Sequence, residues 1–378
     1  AYRRQRQMCI RDRLKQADII KKHAVDGYLY GRVGEDHFVV IADEDTFNEE
    51  YLYECRETLQ NVLSDSVYNV RVCFGIYRTD NMNESLSFMC DKASFAVASI
   101  KDDTHSFIAY YDDTMLEAAI KYKTIVDEFD DAIKAGEFKM YLQPQISAKT
   151  RRLTGAEALV RRIKPDGTII SPIDFIPVYE KSGLISRLDR YIWEQAAAKL
   201  GEWKKAGINM SISVNISPKD FYYIDIFNTF AGLIKKYDIE PSNLKIEITE
   251  TTIMSDVPNL MGELEELRKA GFTLEMDDFG SGYSSLNTLK DINVDVLKVD
   301  MGFIKETKNV KKSRIILASV IKMAKELNLL IITEGVETEE QVDNLTKLGC
   351  DVFQGYYFSK AIDVNEFEKR YLYRKKAG

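Results

Sequence analysis

Apolar and polar positions along the chain follow two rhythms, and the second covers most of it. From residue 140 onward, short apolar runs ending in polar residues recur at near-regular intervals. They are MYLQPQI (140–146), TGAEALV (154–160), MSISVNIS (210–217), LKIEITE (244–250), FTLEMDDF (272–279), VDVLKVD (294–300), LLIITEGV (329–336) and DVFQGYYFS (351–359). Amphipathic stretches lie between them, including Ser186–Ala206, Pro218–Tyr237, Asn259–Ala270, Ser313–Leu327 and Glu339–Leu348. Gly207, Gly271 and Gly349 fall just past helix ends, where a left-handed residue closes a helix. Eight strands alternating with helices predict a (β/α)8 TIM-like barrel of the α/β class. An open doubly wound sheet is the alternative that periodicity alone leaves standing.

Residues 14–115 alternate helix and strand on a smaller scale and predict a compact α+β domain. GYLYGRVGEDHFVVIA reads as a hairpin with its turn near Gly34. VRVCFGIY (70–77) reads as a strand, LSFMCDKASFAVASIK as a helix, and FIAYY as a further strand. The stretch Asp112–Gly136 has no internal Pro or Gly and predicts one long amphipathic helix, with residues 116–136 a stiff connector. Residues 137–378 complete the barrel domain.

With 378 residues, 45% hydrophobic and 30% charged, the composition is that of an ordinary globular chain of two or three domains. The net charge of −8 argues against DNA or RNA as a partner, which a basic patch would favour. Five cysteines without CxxC spacing suggest neither zinc nor a disulfide framework, and fit reduced cytoplasmic thiols. No apolar run has the length of a membrane span, and the first residues lack the apolar core of a signal peptide. The opening AYRRQRQMCIRDR reads as foreign, because MCIRDR matches a translated sequencing adapter. Residues 1–13 are therefore expected to be a non-native leader, with any sensor or membrane anchor of the parent protein upstream of this sequence.

The strand ends carry the chemistry. In order they hold Glu157, Asn215, Glu247 and Glu250, Asp277 and Asp278, Lys298 and Asp300, Glu334, and Gln354. In a (β/α)8 barrel these ends meet on one face, where active sites form. So many carboxylates repel unless cations sit among them, and Lys298 is the single cation of the set. All three histidines precede the barrel, whose one cysteine is Cys350, so the donors are oxygens. Such a site suits a hard cation, Mg2+ or Mn2+, and phosphoryl-ester hydrolysis. Singly, any of these acids is as well explained as a helix cap; Asp256 and Ser284 read that way, and Glu250 and Asp300 as supporting groups. The set on consecutive strands favours a site.

The motifs EALVR (157–161), VNIS (214–217), EITE (247–250), DDFGSGYSSL (277–286), LKVD (297–300), TEGVET (333–338) and QGYYFSK (354–360) resemble, in order, those of the EAL phosphodiesterase family. The resemblance covers about residues 125–372. It implies a modified (β/α)8 barrel that hydrolyses cyclic di-GMP to the linear dinucleotide pGpG with two Mg2+ or Mn2+ per site. It places Glu157, Asn215, Glu247 and Asp277 on the first metal, and Asp277, Asp278 and Glu334 on the second. Lys298 would orient the attacking water or help deprotonate it, and Gln354 would support the metals or that water. Gln143, Leu159 and Arg161 match substrate contacts. Glu250 and Glu337 would hold the loop Asp278–Leu286, and Asp300 would sit beside Lys298. EAL domains commonly dimerise, so a homodimer through this domain is implied. Three departures stand out: VRRI where an aromatic often follows the arginine, KVDMGF where an arginine is usual in place of Met301, and SKAI where proline is common in place of Ala361.

GRVGEDHFVVI, VRVCFGIY and DKASFAVASIKDD resemble the second half of a GGDEF domain, in partial and degenerate form. The signature is reduced to Gly34-Glu35-Asp36-His37-Phe38. Glu35 brings bulk and charge where the cyclase needs glycine, and VDGY from Val25 does not match the inhibitory RxxD site. Cyclase activity is not expected; weak GTP binding is a subsidiary expectation. A catalytically silent cyclic di-GMP receptor signalling through the connector helix is the alternative function. A kinase reading of Asp278-Phe279-Gly280 fails for want of a Gly-rich loop and of any histidine after His105. A metal-dependent aldolase would use strand-end acids without needing EALVR or QGYYF.

Overall fold

The computed structural model describes residues 14–22, 28–34, 37–63, 71–79, 81, 83–101, 103, 105–255, 257, 259–279, 289, 292–301 and 310–373. The chain divides into two compact units, residues 1–124 and 125–378.

In the first unit, β1 (Leu29–Gly34) and β2 (His37–Ile41) form the expected antiparallel hairpin, with Gly34 opposite His37. Helix α1 (Glu50–Leu63) follows, then β3 (Phe74–Ile76), α2 (Leu86–Ser99) and β4 (Ile108–Tyr110). The strand expected over 70–77 is thus short, and it pairs in parallel with β4. Ile19, Cys55 and Leu59 make a small core. Arg71 closes the 100–106 turn by donating to the carbonyls of Ile100, Lys101 and Ser106. The leader 1–13, the Val25 segment and Glu35–Asp36 lie outside the described residues.

The long helix expected over Asp112–Gly136 is two helices, α3 (Asp113–Asp127) and α4 (Phe129–Ala135), the second closed by Gly136 in the left-handed region. At the join, Glu128 is held by Arg162 Nη2 at 2.7 Å, while Arg162 Nε donates to Glu137 at 2.9 Å. Ile125, Phe129, Phe138, Phe175, Tyr179 and Leu188 pack together beside it.

Eight strands then close a barrel: β5 (Phe138–Ser147), β6 (Leu153–Ile163), β7 (Ile212–Ile216), β8 (Leu244–Thr249), β9 (Leu274–Asp277), β10 (Val296–Asp300), β11 (Leu330–Glu334) and β12 (Val352–Phe353). The open-sheet alternative falls, because β5 bonds to both β6 and β12. Seven strands are parallel, but β5 runs antiparallel to both neighbours. The run of parallel strands therefore starts only at β6. Along the strands apolar residues point to the surrounding helices and polar ones inward, the period-2 pattern of a pleated strand. Ile246 and Ile248 enter the core with Trp193, Leu264 and Ile321, whereas Lys245 and Glu247 bond inside.

The barrel helices differ from expectation at two points. Helix α5 (Pro172–Ser182) was not anticipated; Pro172 occupies its first turn, where a missing N–H costs nothing. After α6 (Ile185–Lys205), the stretch read as one helix is split into α7 (Asp220–Tyr223) and α8 (Ile226–Tyr237). Ile224 is extended, and the Asp225 side chain caps α8 by accepting from the Asn228 N–H. Among the described residues, helices α9 (Glu250–Met254), α10 (Leu260–Lys269), α11 (Val310–Glu326) and α12 (Glu339–Leu348) follow, the last with a reciprocal Thr338/Gln341 capping box. Gly207, Gly271 and Gly349 all have positive φ, as C-capping requires. Among the described residues no helix is long and apolar enough to cross a membrane.

Candidate active site

The parallel strands bring their polar ends together around one ammonium group. Lys298 on β10 is fully buried, and its Nζ lies 2.7 Å from Glu334, 2.8 Å from Glu247, 3.3 Å from Asp277 and 3.4 Å from Glu157. These acids come from four strands, β11, β8, β9 and β6. Asn215 on β7 donates to Glu157 Oε1 at 3.3 Å, and its own carbonyl accepts from Trp193 Nε1 at 2.9 Å. From the end of β12, Gln354 donates to Glu157 Oε2 and, at 3.4 Å, to Gln143 Oε1. Gln145 in turn donates to Gln354 at 3.2 Å. A Cβ at Gly355 would run into the Val336 backbone, so glycine lets the strand after Gln354 lie tight against the TEGVET segment.

The electrostatics follow from burial and like charge. Burial alone would lower the Lys298 pKa, but the Glu157, Glu247, Glu334 and Asp277 charges outweigh it and hold it well above its ordinary value. Burial, then Glu157, pushes the Glu247 carboxyl far up. Glu334 is pushed up to about 8 by burial; Lys298 opposes this, and Asp277 and Glu157 add to it. The Asp278 carboxyl is raised by desolvation first and by Asp277 second, although the residue keeps an exposed face. Asp278 also has positive φ, and its N–H donates to Asp277 Oδ1 at 2.9 Å.

As they stand, no three His, Cys, Asp or Glu groups among the described residues are spaced to hold a cation; the acids converge on Lys298 instead. The donor set nevertheless fits a hard divalent ion. It is all oxygen, it holds more acid than one ammonium can neutralise, and Glu247 Oε1 is buried without a hydrogen-bond partner.

Of the residues singled out in the sequence, Gln143, Glu157, Asn215, Glu247, Asp277, Lys298, Glu334 and Gln354 come together here. Arg161 stands on the same strand as Glu157, with its guanidinium over the Tyr141 ring at 5.9 Å and Nη1 donating to the Val160 carbonyl. Leu159, between them, is partly buried. Asp300 closes β10 opposite Glu334, and Glu337 follows β11, its N–H donating to Gln341. Glu250 is buried in the first turn of α9. Residues 280–288, most of the loop it is expected to hold, lie outside the described residues, as does the cap expected at Asp256. Sequence reasoning passed over Trp193 and Gln145. Nothing local marks Trp193, but Gln145 shares an inward face with Gln143 in the quoted YLQPQ.

The EAL domain family matches residues 126–361. The signaling protein YkoW of Bacillus subtilis (strain 168) is 31% identical over 350 residues, covering 91% of this chain and 44% of YkoW. The bifunctional diguanylate cyclase/cyclic di-GMP phosphodiesterase MucR of Pseudomonas aeruginosa is 28% identical, covering 89% of this chain and 50% of MucR. The chain thus spans about half the length of these curated relatives or less. A solved structure of the PaMucR phosphodiesterase in complex with c-di-GMP is 32% identical, with a TM-score of 0.61, and is matched over 65% of this chain and 99% of its own.

Proposed function

The chain belongs to the EAL-domain family, and from that membership we propose that it hydrolyses cyclic di-GMP to linear pGpG. The observation that carries this is the convergence of Glu157, Glu247, Asp277 and Glu334 from four strands on buried Lys298. The solved relative in complex with c-di-GMP, matched over 65% of this chain, supports the reading. Glu157, Asn215, Glu247 and Asp277 would hold one Mg2+ or Mn2+, and Asp277, Asp278 and Glu334 a second. When bound, such cations place positive charge against the phosphoryl oxygens and acidify water.

The chain's own groups do the positioning. Gln354 and Asn215 each donate to a different oxygen of Glu157, which fixes that carboxylate from two sides. Lys298, protonated among the acids, would orient the attacking water as a hydrogen-bond donor, and one of the carboxylates around it would take the proton of that water. Water adds to phosphorus, one P–O bond of the ring breaks, and the leaving oxygen gains a proton. Arg161 and Leu159 on β6, with Gln143 on β5, would contact the dinucleotide, the fixed fork of Arg161 being suited to a phosphate. Glu250 and Glu337 would brace the loop after Asp278, and Asp300 would support Lys298.

The match to MucR over most of the chain supports reading residues 14–115 as a degenerate, partial GGDEF domain. Weak GTP binding there and a homodimer through the EAL domain belong to the same proposal. Glu157→Gln should keep the fold and c-di-GMP binding while cutting turnover with Mn2+ by about 10²-fold or more. Wild-type chain that binds c-di-GMP with Mn2+ present and never turns it over would instead be a receptor.

A further inference from the structure

Beneath the strand-end acids, the barrel carries a second pair of charges that the proposed chemistry does not use. Glu275 on β9 is fully buried. Lys245 Nζ on β8 lies 2.9 Å from Glu275 Oε1, and Ser213 Oγ on β7 donates to Oε2 at 2.8 Å. Each stands two residues before a site residue: Ser213 before Asn215, Lys245 before Glu247, Glu275 before Asp277. Side chains two apart in a strand share a face, so these three point into the barrel below the site residues they precede. Cross-strand register sets Ser213 opposite Lys245 but Glu275 opposite Glu247 itself, so Glu275 stands directly beside a site acid. Barrel interiors are ordinarily packed with branched apolar side chains, so a desolvated ion pair here needs a reason.

We infer that Lys245 is an internal counter-cation, whose charge on Glu275 sets how strongly the site above attracts a divalent cation and stabilises the barrel when no cation is there. This rests on the EAL reading of the site. Without Lys245, Glu275 is a buried carboxylate beside Glu247 that has lost its nearest cation. The metal-free barrel then loses stability, and a cation above relieves more repulsion on binding. Without Glu275 the effects differ in kind. The Lys245 side chain, 19% exposed, can lean toward solvent at little cost, and the site loses a negative neighbour. Lys245 is therefore a positioning residue that acts through Glu275, not a catalytic one.

The test is calorimetric Mn2+ binding to the full chain, with melting temperatures in EDTA and in Mn2+, for wild type, Lys245→Met, Glu275→Gln and the double variant. Lys245→Met should melt lower in EDTA, bind Mn2+ on the order of tenfold tighter than wild type, and gain more from Mn2+ on melting. Glu275→Gln should bind more weakly by a similar factor, and the double variant should return toward wild type. If Lys245→Met does not fold, Glu275→Gln against the double variant still decides the matter. Equal Mn2+ affinities with merely lowered melting temperatures would mean a structural role only and overturn the inference. Wild-type chain that binds no Mn2+ would overturn the EAL reading and this inference with it.

Discussion

Replacing Lys298 by methionine keeps most of its volume and removes the single charge on which four carboxylates converge. The distances, 2.7 to 3.4 Å, are contact pairs, and Lys298 and Glu247 have no exposed surface. Removing one partner of a buried ion pair costs about 3–5 kcal/mol, because the other charge is stranded. Here the stranded charges also repel one another, and proton uptake by Glu334 and Glu247 keeps the cost near that range. The chain has two tryptophans, Trp193 and Trp203, both buried in the barrel unit, so their fluorescence follows barrel unfolding without the first unit. With an m-value of about 2–3 kcal/mol per molar urea, the midpoint in EDTA should fall by about 1–2 M. Mn2+ should restore much of that stability, because it supplies the missing positive charge, but not the activity. Turnover should stay down by about 10²–10³-fold, the range for losing one preorganised donor at the reacting centre. A variant unfolding at the wild-type midpoint in EDTA would refute the claim that Lys298 holds the metal-free site together.

Arg162→Met should cost roughly 2–4 kcal/mol, because the Arg162 side chain is 4% exposed and is bonded to Glu128 and Glu137. Arg162→Lys should recover only part of the loss in a thermal melt, since the forked geometry is gone. Asp189→Asn should stabilise the barrel unit increasingly as pH rises. Burial, then Asp220, raises the Asp189 carboxyl well above its ordinary value, and Asp220 itself is pushed up to about 6, chiefly by burial. A carboxyl raised in the folded state ionises first in the unfolded chain, so wild type loses stability from about pH 4 up through the folded values. The variant escapes part of that loss: no gain at pH 4 and a gain of up to about 2 kcal/mol at pH 8. A gain that does not vary with pH in urea titrations would remove this pair as its source.

The barrel was legible because each inward strand end breaks an apolar run with a residue that needs a reason to be there. Glu247 and Asp277 announce themselves in that way. The reversal of β5 was also written in the chain and was passed over. Only residues 147–153 separate the first two quoted runs, and a parallel crossover needs a dozen or more. Pro172 after Ser171, and Asp225 three residues before Asn228, were likewise local cap signals for α5 and α8. The central position of Lys298 was only partly readable. Its being the one cation among strand ends was visible, but its equal reach to four strands depends on barrel closure. The Trp193 bond to the Asn215 carbonyl joins an apolar helix face to a strand backbone, and no periodicity encodes such a contact. The Lys245–Glu275 pair becomes visible only once the strands have a register, because each residue alone reads as a polar position on a half-exposed strand.

The most direct test of the central claim is to incubate the purified chain with cyclic di-GMP and Mn2+, and separately with EDTA, and to resolve the products by chromatography. The account predicts that pGpG accumulates with Mn2+, not with EDTA, and not with Glu157→Gln under either condition. Unchanged cyclic di-GMP in the presence of Mn2+, from a folded chain that binds it, would contradict the account.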